Sequence, residues 1–179
     1  MWWSKGWGIP ATSYASWLKT LAAAPGRPAR ILAWTATSDG LIVLSPAVLS
    51  VSTDQGWQHV GWHEIEHGGW NAETEQLRWQ VYDSARVTVT LPDPARVPEV
   101  FEERIKASIV FERFVPVCSS TTRGVVVNGR RDLADRLDPI SWHASLSRGL
   151  TWRTPGVQET AEAAVEELRR EYDPGWSGC

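Results

Sequence analysis

The chain has 179 residues, 42% of them hydrophobic and 22% charged, with a net charge of −3. That length holds one domain with additions, or two small ones, and buries a sizeable core. The acidic balance excludes a general polyanion binder, which carries a basic field, so nucleic acid is not the expected partner.

Two cysteines, Cys118 and Cys179, are too few for a disulfide framework and point to a reducing compartment. The opening "MWWSKGWGIP" lacks the continuous apolar run of a signal peptide. No stretch approaches the roughly 18 apolar residues of a transmembrane helix. The expected location is cytoplasmic. The 12 tryptophans outnumber tyrosine and phenylalanine together. Trp2, Trp3 and Trp7 crowd the start, while the others are spread along the chain and suit core positions.

Residues 13–24, "SYASWLKTLAAA", predict a short helix with Tyr14, Trp17, Leu18 and Leu21 on one face. Thr12 or Ser13 can cap its start, and Pro25-Gly26 stop it. From residue 30 the period becomes two. "RILAWTAT" runs into the turn signal Ser38-Asp39-Gly40 and then "LIVLS". Pro46 interrupts, so residues 41–53 form two strands or one bent strand. In "QLRWQVYD" and "RVTVTL", Leu77, Trp79, Val81, Val87, Val89 and Leu91 take the inward positions of half-buried antiparallel strands. "PEVFEERIKASIVFERF" predicts an amphipathic helix over 98–114, with Val97, Phe101, Ile105 and Ile109 as its ladder. Beyond it, "GVVVNGRRDL" offers Asn128-Gly129 as a hairpin turn, and "ISWHASLS" alternates as a strand. A last helix over 156–172 starts from Thr154 as cap and Pro155 in the first turn.

"GWHEIEHGGW", residues 61–70, contains His-Glu-x-x-His, the ligand pattern of zinc metalloproteases. The alternative of a zinc-dependent hydrolase would use His63 and His67 as ligands and Glu64 as base. On a helix, four residues rise about 6 Å and the imidazoles share a face. On a strand the same spacing separates them by about 13 Å, too far for one ion. The neighbouring two-period stretches and Gly68-Gly69 favour the strand. A metzincin extension would place glycine and histidine where Trp70 and Glu73 stand. Distal glutamates such as Glu99 or Glu102 lie on the polar side of another predicted helix. No metal or cofactor is therefore expected. Trp62 and Ile65 are the expected inward pair, with a bulge or short turn at His63-Glu64. His63, Glu64, Glu66 and His67 are then mainly solvated.

The stretches "ILAWTATSDGLIVLS", "VLSV", "WHEIEHGGWN", "LRWQVYD" and "PEVFEERIKASIVF" together resemble bacterial pleckstrin-homology-like (PH-like) domains. The resemblance covers about residues 29–116. It implies an α+β, mainly antiparallel fold, a bent β-barrel or roll capped by a helix. Residues 1–28 become an N-terminal helical extension and 117–179 a C-terminal ββα extension packed on the core. It also implies a binding or scaffolding module, with another protein as the expected partner. Phosphoinositide-binding members carry bases around the first hairpin loop, and here that loop is "TSDG", with an aspartate and no base.

Arg123, Arg130, Arg131 and Arg136 are offset by Asp132, Asp135 and Asp138, as in a solvated mixed-charge loop. His143 has no nucleophile motif beside it. Cys118, beside apolar "FVPV", reads as a buried thiol. A tryptophan platform for carbohydrate or single-stranded nucleic acid is a third reading, and it requires a cluster of exposed indoles.

Overall fold

A computed structural model describes residues 8–21, 30–117, 122–134 and 139–172. The expectations for Trp2, Trp3, Trp7, Pro25-Gly26, Cys118, Asp135, Arg136, Asp138 and Cys179 lie outside the described residues. The rest form an α+β protein with antiparallel strand pairing throughout and three α-helices. None of those helices is long and apolar enough to cross a membrane. The chain divides into two compact units, Met1–Ile105 and Lys106–Cys179.

The N-terminal unit opens with helix α1, Ala11–Thr20. It begins earlier than the sequence predicts, on Pro10, whose carbonyl accepts the Tyr14 N–H at 2.9 Å. Neither Thr12 nor Ser13 caps it, because proline at the N-cap starts the first turn ahead of both. Strands β1 (Ala33–Ala36), β2 (Leu41–Leu44), β3 (Val48–Thr53) and β4 (Gly56–Gly61) follow as a four-stranded meander. Pro46 lies in the turn between β2 and β3, closed by Ser45 N–H donating to Val48 O at 3.0 Å, so residues 41–53 are two strands. Gly40 is required at the first turn, since a Cβ there would meet Ser52 O at 2.5 Å.

Polar contacts fasten α1 to this sheet. Trp17, fully buried, donates its indole N–H to Ser50 Oγ at 2.9 Å. Ser50 Oγ lies 2.8 Å from His59 Nδ1, and His59 Nε2 lies 3.0 Å from Thr20 Oγ1. Thr20 Oγ1 in turn donates to Trp17 O at 3.1 Å. The donors follow one another only if Ser50 gives its proton to Nδ1, which leaves neutral His59 with its proton on Nε2. Because α1 covers the Ser50 face, the run Ile42-Val43-Leu44 is buried on both sides of the sheet, which explains its lack of alternation.

A 3₁₀ turn, Trp62–Glu64, leads to a second sheet of β5 (Ile65–Asn71), β6 (Gln76–Val81) and β7 (Arg86–Thr90), in that order. Helix α2, Val97–Ser108, then buries Val97, Val100 and Phe101. The hydrogen-bonded ladders of the two sheets do not join into a closed barrel.

The predicted helix over 98–114 is too long. After Ser108 the chain becomes β8, Ile109–Pro116, with strict inside–outside alternation. The apolar positions of "SIVFERF" satisfy both a four-residue and a two-residue repeat. Pairing with β9 decides for the strand. The C-terminal unit, Lys106–Cys179, therefore holds β8, β9, β10 and α3, so β8 belongs to it although residues 109–116 fall within the 29–116 stretch of the resemblance. Its sheet runs β10 (Ser141–Leu146), β9 (Gly124–Arg130), β8. Helix α3, Val157–Tyr172, covers one face through Val157, Ala161, Ala164 and Leu168 against Val125 and Val127. Asn128 and Gly129 are not a hairpin turn. Both are buried inside β9, where Gly129 faces Ile140 and the Trp142 ring. Thr154 does not cap α3: its hydroxyl accepts the Thr151 N–H at 3.3 Å.

The α1 fastening generates a pH dependence. Burial lowers the His59 pKa below its ordinary 6.5, and the contact with Thr20 opposes that shift only in part. The unfolded chain therefore takes up a proton that the folded chain resists. Stability is full above pH 6.5, falls as pH drops from 6.5 toward the folded value, and levels off below it. Thermal melts about one pH unit apart on either side of 6.5 should show this loss, and His59→Gln should flatten the His59 share of the slope.

Candidate functional site

The His-Glu-x-x-His segment is a corner of the fold. Strand β4 ends at Gly61, the 3₁₀ turn spans Trp62–Glu64, and β5 begins at Ile65. Trp62 and Ile65 are both 0% exposed, as their spacing of three predicts for an inward pair across a short turn. The Trp62 indole N–H donates to Ser45 O at 3.0 Å. The short turn is the form taken at His63-Glu64, and a separate shift of register follows between Ile65 and His67.

The turn gives each polar residue a structural setting. Glu64 Oε2 accepts the Gly61 N–H at 2.6 Å and so caps the turn. A Cβ on Gly61 would lie 2.9 Å from that carboxylate oxygen, so glycine admits it. His67 is exposed, whereas His63 and Glu66 are half-buried rather than solvated, His63 because the turn folds it back beside Gly61 at the end of β4. The two histidines do not share a helical face. Among the described residues, no group of three or more His, Cys, Asp or Glu side chains could hold a metal ion. Gly68, which the sequence offers as a helix stop, lies within β5. A Cβ there would meet the Phe101 ring at 2.6 Å, so glycine lets α2 press onto the sheet.

The remaining candidates separate in space. Arg130 is 3% exposed in β9, with Nη1 donating to Ser108 Oγ at 3.0 Å, so it is no part of a solvated loop. Arg123 is exposed and Arg131 half-buried. His143 is half-buried in β10. Of the described tryptophans, Trp17, Trp62 and Trp79 are buried and Trp34, Trp57, Trp70 and Trp142 half-buried. Trp152 alone among them is exposed, at 49%, beside a groove between β10 and α3. One indole does not make the cluster that a stacking platform requires.

The feature that sequence reading missed is a cleft between the two sheets of the N-terminal unit. It measures about 300 Å³, and its apolar wall includes Leu49, Val51, Val60, Trp79, Val81 and Val87. Its rim includes the β1–β2 turn residues Thr37, Ser38 and Asp39, and Asp39 is the single charged residue of the lining. Val87, expected inward, is 39% exposed there because the second sheet does not close over the first. Trp79 is 2% exposed, and its indole N–H has no acceptor. Such a buried donor costs about 1–3 kcal/mol. A 150 Å³ apolar cavity holds benzene, so this larger cleft has room for one large apolar side chain or two smaller ones.

No family model, curated protein or solved structure matches the chain.

The corner assignment separates the stability roles of neighbouring residues. Trp62→Ala should cost about 3–5 kcal/mol, the range for a large buried side chain. Exposed His67→Ala should change stability by less than about 0.5 kcal/mol. Urea denaturation of both variants checks this, and similar losses would mean that Trp62 is not the anchor.

Proposed function

We propose that the chain is a non-catalytic binding module whose N-terminal unit is a PH-like roll and whose partner is another protein. The order of elements supports the roll: a four-stranded meander, a three-stranded meander, then a helix. The single observation that carries the binding reading is the apolar cleft between the sheets. Its lining holds no histidine, cysteine or lysine, and its one carboxylate, Asp39, sits at the rim. That composition suits an apolar group entering from outside better than acid–base or nucleophilic chemistry. The aspartate also opposes an anionic lipid headgroup.

Quantitative affinity capture from the native cell, comparing the wild type with Val87→Trp, tests this reading. The substitution fills the cleft from a position that is already 39% exposed, so the fold should persist. A partner held by the wild type and lost from the variant supports the cleft as the site. Equal capture by both places binding elsewhere. A peptidase or esterase activity abolished by Glu64→Gln would instead favour the hydrolase.

A further inference from the structure

The sheet of the C-terminal unit ends on β10 at one side and on β8 at the other. Ser147 N–H donates to Gly124 O at 3.0 Å, which in the β10–β9 register makes the odd-numbered residues of β10 the hydrogen-bonded ones. The N–H and C=O groups of Trp142, Ala144 and Leu146 therefore point away from β9. No strand among the described residues pairs with them. Free edges commonly carry charge or proline, which discourages a further strand. The β8 edge does, with Glu112, Arg113 and Pro116, whereas "SWHASL" of β10 holds no lysine, arginine, carboxylate or proline.

Beside the β10 edge runs the groove between β10 and α3, about 670 Å³, with Ala144, Ala161 and Val165 as its apolar lining. A 150 Å³ apolar cavity holds benzene, so the groove has ample room for an indole. Trp152, 49% exposed, stands on its border. The charges of the lining are ordered as well. Glu162 and Arg169 stand about 10 Å apart along α3, with Val165 between them. Glu166 also lines the groove, and its carboxylate is held by Arg170 of the same helix at 2.9 Å.

We propose that this edge receives a second copy of the chain, related by a twofold axis beside Ala144. The patch is its own complement. It offers an indole beside an apolar hollow, and a carboxylate and a guanidinium on opposite sides of Val165. Antiparallel pairing about Ala144 sets Trp142 opposite Leu146 of the other copy and joins the two sheets into one. Ala144 and Val165 line one groove, so the same axis runs α3 antiparallel to its counterpart. Glu162 then faces Arg169 of the other copy, and each Trp152 enters the other copy's groove. The proposal concerns the C-terminal unit alone and does not rest on the cleft of the N-terminal unit.

Sedimentation equilibrium of the full chain, from about 1 mM down to about 1 μM, covers weak to moderate self-association. The mass should rise with concentration from 20.0 kDa toward twice that value. Trp152→Ser should weaken the dimer at least about tenfold, since each copy loses a buried indole. Glu162→Arg brings guanidinium groups together at both symmetric pairs and should weaken it about tenfold at low salt. Adding Arg169→Glu to that variant should restore association, because the reversed pair is again complementary. Rescue within one chain is a signature of self-association. Amide exchange at Trp142, Ala144 and Leu146 should slow at concentrations where the dimer dominates. A mass of 20.0 kDa throughout would overturn the proposal. So would a dimer that Trp152→Ser leaves intact, a charge reversal that the second reversal does not rescue, or unchanged exchange at those three amides.

Discussion

The burial of Trp62 is the constraint on which the N-terminal unit depends. This residue sits where the chain leaves one sheet for the other, and its indole is anchored to Ser45 O in the turn between β2 and β3. Its ring meets Phe101 of α2 edge-on at 6.0 Å, and Phe101 also lies 6.4 Å from Trp79 of β6. One aromatic group thus links the first sheet, the second sheet and the helix. Such pairs add about 0.5–1.5 kcal/mol beyond the area they bury. The Glu64 cap and the glycines at 61 and 68 are adjustments that let this packing occur. Glycine at 61 admits the capping carboxylate, and glycine at 68 admits the Phe101 ring.

The same packing explains why a metal-binding pattern carries no metal geometry here. His-Glu-x-x-His is a statement about a helix, and its meaning vanishes when the backbone turns a corner in the middle. Here Glu64 bonds the backbone that precedes it, and His63 lies within the turn while His67 lies in β5 beyond the register shift. What remains between the two sheets of the N-terminal unit is an opening, because β7 does not pair with the first sheet. An unclosed edge leaves Val87 in contact with solvent. Asp39, the one charged residue lining that opening, has a sign of charge opposite to the one an anionic headgroup needs.

Helix α1 is held by polar contacts as well as by the burial of Trp17. The hydroxyl of Ser50 is fully buried and acts at once as acceptor for the indole and partner for the imidazole. Such a network ties the helix to the sheet through Trp17 and Thr20, and neutral His59 with its proton on Nε2 lets each hydroxyl both donate and accept. In the C-terminal unit, α3 is held differently, by small and branched side chains against β9. There the contacts of Phe111, Trp142 and Tyr172 close the end of the helix.

By itself the sequence determined most elements and the inward side of several. Period-two alternation identified β6 through Leu77 and Trp79, and the spacing of Trp62 and Ile65 pointed to a bulge or a short turn at His63-Glu64, of which the turn is what forms there. These are local properties, written in which neighbours are apolar. Tertiary structure decided the cases where one local pattern fits two answers. "SIVFERF" could continue a helix until β9 offered it hydrogen bonds, and Asn128-Gly129 could turn until Trp142 and Ile140 packed over that glycine. Arg130 read as solvated until Ser108, at the end of α2, came to meet it. The cleft was invisible for the same reason. Its wall joins residues from Leu49 to Val89, distant in sequence and individually ordinary, and only the failure of two sheets to close brings them into one opening.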